Sequence, residues 1–285
     1  MQSIISEIKK SLYIPFFILS CLGVILVCCL SEGYRSASGK SYTIIELFLF
    51  LGKDAMLTDI SLNRYDIWVQ GIGTWTQLLL PFLLSIGYLY VISNEKLAGV
   101  SRLLLVRQNN FIYSISKAIA AMMNGGIIML AGYLFFGFLI YAKFPSIYEY
   151  SVDKISMYME VHQGFHEVFF CFKRCMGAFL YGMCVNGFSY LVSVFFTDKY
   201  IVICLPLMLK YIWGQVIMKI EIDAINNGQD TVLNLCSGLR AENIFNINQS
   251  IYWAITLLLM LAIYLAGICL NIYLLKKKGE GFGFE

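Results

Sequence analysis

The chain has 285 residues, of which 59% are hydrophobic and 14% charged, with a net charge of +3 and a mean hydropathy of +0.72. A soluble domain is about a quarter charged, so this composition excludes an ordinary soluble protein, and so small a net charge gives no argument for nucleic acid. It describes a polytopic, all-α membrane protein whose cationic residues punctuate apolar runs.

Residues 1–10 place Ile4, Ile5 and Ile8 at helical spacing beside Glu7, Lys9 and Lys10. The pattern predicts an N-terminal interfacial helix lying on the membrane surface. A cleaved signal peptide is the alternative, because basic residues precede an apolar run. Residues 12–30 carry no charge and are long enough to cross a hydrocarbon core of about 30 Å, and no A-x-A site follows, so they are read as the first span.

Residues 31–73 form a polar, solvent-facing loop in which 44–51 is too short to span and predicts an interfacial or loop-packing helix. The second span covers 74–92, with Trp68 and Trp75 as interfacial anchors and with Pro81 tolerated because neighbouring helices can satisfy the carbonyl it frees. The next stretch, 93–117, reads as a short basic amphipathic helix. Leu97, Val100, Leu104 and Leu105 make its apolar face, and Glu95, Lys96, Arg102 and Arg107 make the other.

The third span is 118–142, with Asn124-Gly125-Gly126 permitting close helix contact. In the loop 143–171, the second half predicts an amphipathic helix packed on the outer surface. The fourth span, 172–196, carries Gly177, Gly182 and Gly187, and Thr197-Asp198-Lys199 turns it into the fifth span, 200–218, with Lys210 near its middle. A polar loop, 219–250, precedes a sixth span, 251–275, which Lys276-Lys277-Lys278 stops. With six spans the termini share one side. Short segments near span ends hold Lys9, Lys10, Lys96, Arg102, Arg107, Lys117, Lys199 and Lys276 to Lys278, which puts the termini in the cytoplasm of a multi-pass, bacterial-type plasma membrane protein. Lys173 and Arg174 run against the rule.

Most of the nine cysteines lie in apolar runs and behave as small core residues. No zinc-type spacing joins Cys171, Cys175, His162 or His166, Cys236 is read as free, and no metal site is expected. Lys210 reads equally as a functional intramembrane cation or as a snorkelling side chain. Gln77, Asn124, Asn186 and Gln215 read as interhelical hydrogen-bond glue ahead of substrate contacts.

The helix order, together with Asn94-Glu95-Lys96-Leu97-Ala98-Gly99, then Arg102-Leu103-Leu104-Leu105, then Ser116-Lys117 opening the next span, resembles the permease subunits of ABC-2 type transporters. The resemblance spans nearly the whole chain in topology and about 25 residues in motif. Arg107-Gln108-Asn109-Asn110 stands where many relatives carry a proline and a basic residue. The resemblance implies a coupling helix between spans two and three, with Glu7, Lys10, Glu95, Lys96, Gly99 and Arg102 facing a nucleotide-binding ATPase subunit. It also implies a second permease chain, identical or related, and a translocation path drawing on Lys210, Gln215, Gln77, Asn124 and Asn186. The chain has no G-x-x-x-x-G-K-[ST] loop, so ATP and Mg would belong to the partner, and this chain would bind no cofactor and be no enzyme. The apolar spans suggest export of a hydrophobic or amphipathic substrate. Two other classes stay open: a non-transporting scaffold or immunity component, and an intramembrane enzyme, for which H-E-x-x-H, G-x-S-x-G and paired carboxylates within a span are all lacking.

Overall fold

A computed structural model describes residues 2–12, 14–36, 39–161, 166–240, 243 and 250–280. Thirteen α-helices occur among them: α1 (Gln2–Ser11), α2 (Ile14–Leu30), α3 (Ile44–Phe50), α4 (Lys53–Met56), α5 (Arg64–Gln70), α6 (Thr74–Leu97), α7 (Val100–Arg107), α8 (Asn110–Lys143), α9 (Val152–Val161), α10 (Glu167–Phe195), α11 (Lys199–Asn226), α12 (Asp230–Leu239) and α13 (Ser250–Glu280). One antiparallel hairpin, β1 (Glu32–Arg35) with β2 (Ser41–Thr43), interrupts the helices, and Tyr34 pairs with Tyr42 across it.

Five helices (α6, α8, α10, α11 and α13) are long and apolar enough to cross a membrane. A sixth crossing is reached if α1 and α2, bent by 58° to one another, are taken together. In α2 the apolar run is only 17 residues. Its Pro15 sits in the first turn, where no intrahelical N–H is needed.

The core is built around α8, which packs on α1, α2, α6, α10 and α13. Its closest neighbour is α10. A side chain added at Gly125 would come within 2.6 Å of the Gly182 carbonyl oxygen, so each helix needs glycine for the backbones to meet. The turn between α10 and α11 is as short as expected, and the Asp198 carboxylate caps it by accepting from the N–H groups of Tyr200 and Ile201.

At one end of the bundle, called here the hairpin end, residues 31–36 and 39–73 form a built cap and not an open loop. Thr43 and Glu46 form a reciprocal capping box that starts α3, and Asn63 caps α5. The second interhelical segment is docked on this cap: Lys154 Nζ donates to the Thr58 carbonyl at 2.7 Å, Tyr150 to that of Met56 at 3.3 Å, and Tyr158 to Asp66 Oδ1 at 3.1 Å. Trp68 is not an interfacial anchor. It is buried, stacks on Tyr133 at 5.2 Å and donates its indole N–H to the Tyr133 carbonyl at 3.3 Å, because the α5 turn directs it against α8. The Trp75 side chain lies outside the described residues.

Several boundaries move for identifiable reasons. The amphipathic helix expected across 155–172 is two pieces: α9 ends at Val161, and Glu167 already opens α10. Arg174 is therefore inside α10, buried over the Phe170 ring at 5.0 Å, so it serves the fold and is not a flank charge. Within the expected loop 219–250, the described residues 219–240 are largely helical. α11 continues to Asn226, Gly228 turns the chain at φ +64°, and α12 folds back on α11 and α13. Cys236 and Gly238 are buried on its inner face, Trp213 donates to the Leu239 carbonyl at 3.3 Å, and Arg240 pairs with Glu221 at 2.6 Å. At its other end, α13 runs on over Lys276 and Lys277.

Candidate functional site

The stretch 93–117 is three pieces and not one helix. α6 runs on to Leu97, Gly99 breaks it with φ +72°, a backbone conformation that L side chains rarely adopt, and α7 follows. Asn109 then caps α8 by accepting from the Phe111 N–H. Lys117 consequently lies about two turns inside α8 and does not open it.

The expected faces are found only in part. Of the expected apolar face, Leu97 and Val100 are exposed and Leu104 and Leu105 half-buried, Leu103 is 68% and Val106 87% exposed, while Glu95 and Lys96 are drawn into the bundle. The Arg102 and Arg107 side chains lie outside the described residues.

Inside, four charges form a closed ring. Lys10 Nζ donates to Glu7 Oε1 at 2.9 Å and to Glu95 Oε1 at 3.0 Å. Lys117 Nζ donates to Glu7 Oε2 at 2.5 Å and to Glu95 Oε2. Each carboxylate oxygen thus accepts from one ammonium, the signs alternate, and the ring sums to zero. Tyr88 donates a further hydrogen bond to Glu7 Oε2 at 2.6 Å, and the Lys117 ammonium lies 5.9 Å from the Tyr88 ring and 5.7 Å from that of Tyr113. The side chain of Lys117 is 3% exposed and that of Lys10 37%, so the ring grades from fully enclosed to partly wet.

The ring is a junction of three helices: Glu7 and Lys10 come from α1, Tyr88 and Glu95 from α6, and Lys117 from α8. Hydrogen bonds extend it outward. Asn124 Nδ2 donates to the Ser11 carbonyl at 2.7 Å, Lys96 Nζ donates to the Ser193 carbonyl of α10, and Ser93 donates to the Thr197 carbonyl at 2.5 Å beside the start of α11. Ser101 of α7 donates to the Glu95 carbonyl at 3.1 Å. Helices α1, α6, α7, α8 and α10 and the turn into α11 are therefore joined through these bonds.

Of the residues expected to face a partner, Glu7, Lys10 and Glu95 spend their charges on one another and on Lys117, and Lys96 on α10. Gly99 acts through its backbone turn. Sequence reasoning missed Lys117 and Tyr88. The signal for Lys117 was its spacing of four from Tyr113, which puts both on one helix face, and an ammonium in an otherwise apolar run requires an anion.

Of the five residues expected along a path, only Lys210 and Gln77 are in hydrogen-bond contact, through the Gln77 backbone. Asn186 Nδ2 donates to the Ala121 carbonyl at 2.6 Å, so Asn124 and Asn186 are fully buried helix glue, although the Oδ1 atoms of both lack a hydrogen-bond partner among the described residues. Gln215 is exposed on α11. Lys210 reaches the Gln77 backbone carbonyl at 3.2 Å, so the Gln77 contribution is its main chain.

Among the described residues no group of histidine, cysteine and carboxylate side chains could hold a metal ion, all nine cysteines are free, and His166 is exposed while His162 lies outside them. No family model, curated protein or solved structure matches the chain.

Proposed function

We propose that the chain is the permease subunit of an ABC-2 type exporter, working with a nucleotide-binding ATPase subunit and a second permease chain, and moving a hydrophobic or amphipathic substrate. The observation that carries this reading is the short helix α7. It is set off by Gly99 and Asn109, its Leu103 and Val106 are presented outward, and its neighbours on either side, Glu95 and Lys117, are locked into the ring.

The chemistry of such a device is mechanical. A partner pressing on the apolar face of α7 displaces the last turn of α6, and the ring transmits the displacement to α1 and α8, because moving one charge away from buried counter-charges costs several kcal/mol. Packed helices then shift as rigid bodies. In this reading Glu7, Lys10, Glu95 and Lys96 act behind the contact surface, and Leu103 and Val106 supply it. ATP and Mg stay with the partner.

The test is stimulation of a co-purifying ATPase by the full chain in lipid. Leu103→Asp and Val106→Asp should each lower the stimulation at least about fivefold, since a carboxylate buried at an apolar contact costs more than about 1 kcal/mol. Membrane insertion should be unchanged, because both side chains are outside the core. Undiminished stimulation in both variants, or the lack of any ATPase that the chain stimulates, would overturn the transporter reading and favour a scaffold.

A further inference from the structure

Pro81 lies inside α6, where it has no N–H to give to the carbonyl four residues back, that of Gln77. In an apolar environment an unsatisfied carbonyl costs several kcal/mol, so a proline here requires a donor from elsewhere. The Lys210 ammonium of α11 is 3.2 Å from that carbonyl oxygen. It also lies 5.8 Å from the centre of the Tyr181 ring, on α10, which offers a π face to the same cation. One turn further along α6, the Ser85 hydroxyl donates to the Pro81 carbonyl at 2.5 Å and stands 2.8 Å from Ser189 Oγ of α10. The carbonyl freed by the proline is therefore met by a polar side chain from a neighbouring helix, and Ser85, by a back-bond within α6, adds a second polar contact to α10 beside it.

We infer that Lys210 is the pin of a proline hinge in α6: its ammonium replaces the N–H that Pro81 lacks and ties the hinge to α11. A half-buried cation in a span is otherwise read as a site for an anionic substrate. Here the charge has a backbone destination dictated by a residue on another helix. The function of the pin is positional. The ring at Glu95 is carried at the far end of α6, so the angle held at Pro81 sets where that ring and α7 stand relative to α11. This inference does not rest on the transport reading, since it follows from the missing N–H together with the Lys210 contact to the Gln77 carbonyl.

Amide hydrogen exchange of the full chain in lipid nanodiscs tests it, read on peptides from the first half of α6. Lys210→Met should accelerate exchange there about tenfold or more, and Lys210→Arg, which keeps a charged donor, should stay within about twofold of the parent. Pro81→Ala restores an N–H for Gln77, so in the Pro81→Ala/Lys210→Met double variant exchange should return to within about twofold of Pro81→Ala alone. If Lys210→Met does not accumulate, the same logic applies to yield, and recovery in the double variant supports the pin. Unchanged exchange in Lys210→Met, or a double variant no better than Lys210→Met in exchange or yield, overturns it.

Discussion

Lys117→Met isolates the contribution of the buried ring. The substitution keeps the length of the side chain and removes the charge, so it leaves Glu7 Oε2 and Glu95 Oε2 without their ammonium and the ring at a net charge of −1, with one partly exposed lysine facing two carboxylates. Removing one member of a buried pair costs about 3–5 kcal/mol, whereas an exposed pair contributes about 0–1. With Lys117 3% exposed, the loss belongs near the upper class, and the partial wetting on the Lys10 side holds it to about 3–4 kcal/mol. The measurement is denaturant-driven unfolding of the purified chain in mixed micelles, run as a cycle with Glu95→Gln. If the ring works as a neutral unit, Glu95→Gln/Lys117→Met restores balance, keeps the Lys10–Glu7 pair, and loses at least about 1 kcal/mol less than the sum of the two single losses. Additive losses, or a loss below about 1 kcal/mol for Lys117→Met, would refute the account of a coupled buried ring.

Two further predictions concern packing and the hairpin-end cap. Gly125→Val should lower the yield of folded chain severely, because its side chain would meet the Gly182 carbonyl and Asn186 and force α8 from α10, while Gly214→Ala, with nothing within 4 Å, should be neutral or stabilising by about 0.5–1 kcal/mol; equal yields would refute the contact. Burial pushes the Asp59 carboxyl up, but hydrogen bonds from the Ser61 N–H and hydroxyl and from Tyr34, and the charge of Lys154, outweigh it and hold the group below the usual carboxylate range. A depressed carboxyl stabilises the folded state above its ordinary pKa of about 3.9, and the contribution fades as pH falls through the lower folded value. The resistance of the cap to limited proteolysis should therefore exceed that of Asp59→Asn at about pH 6 and converge with it in stronger acid; a gap that stays constant to about pH 2 would refute the assignment.

What the sequence shows well is where the chain is apolar over a bilayer's thickness, because that pattern is set by composition alone. Helices α6, α8, α10, α11 and α13 each cover a run that hydropathy marks. Their ends are less legible, since polar residues such as Asn94 to Lys96 or Lys276 continue a helix as readily as they end it when partners are at hand. The cap at the hairpin end was invisible as a unit: the docking of Lys154 and Tyr158 depends on residues about 95 positions away. The ring was half legible. Glu7 and Lys10 at a spacing of three, and Glu95 near a lysine-bearing span, are visible as charges. That they close on one another depends on α1 lying against α6 and α8, a tertiary fact without a local signature.

The inward turn of Glu95 beside outward apolar side chains carries the more general lesson. In water, an amphipathic helix turns its apolar face inward because burial is worth about 25 cal/mol per Å². At the end of a membrane bundle that rule weakens, because outward apolar side chains such as Leu97, Leu103 and Val106 can meet lipid or another chain at little cost, while a carboxylate there has no counter-charge. The stronger term then decides orientation: Glu95 goes where Lys10 and Lys117 are, and Leu97, two positions on, is turned out by helical geometry. The same reasoning applies to Lys210, whose direction is set by the carbonyl that Pro81 leaves open and not by the hydropathy of α11. In a chain this apolar, the sparse charges fix which way each helix faces, and α7 presents Leu103 and Val106 outward as the apolar remainder.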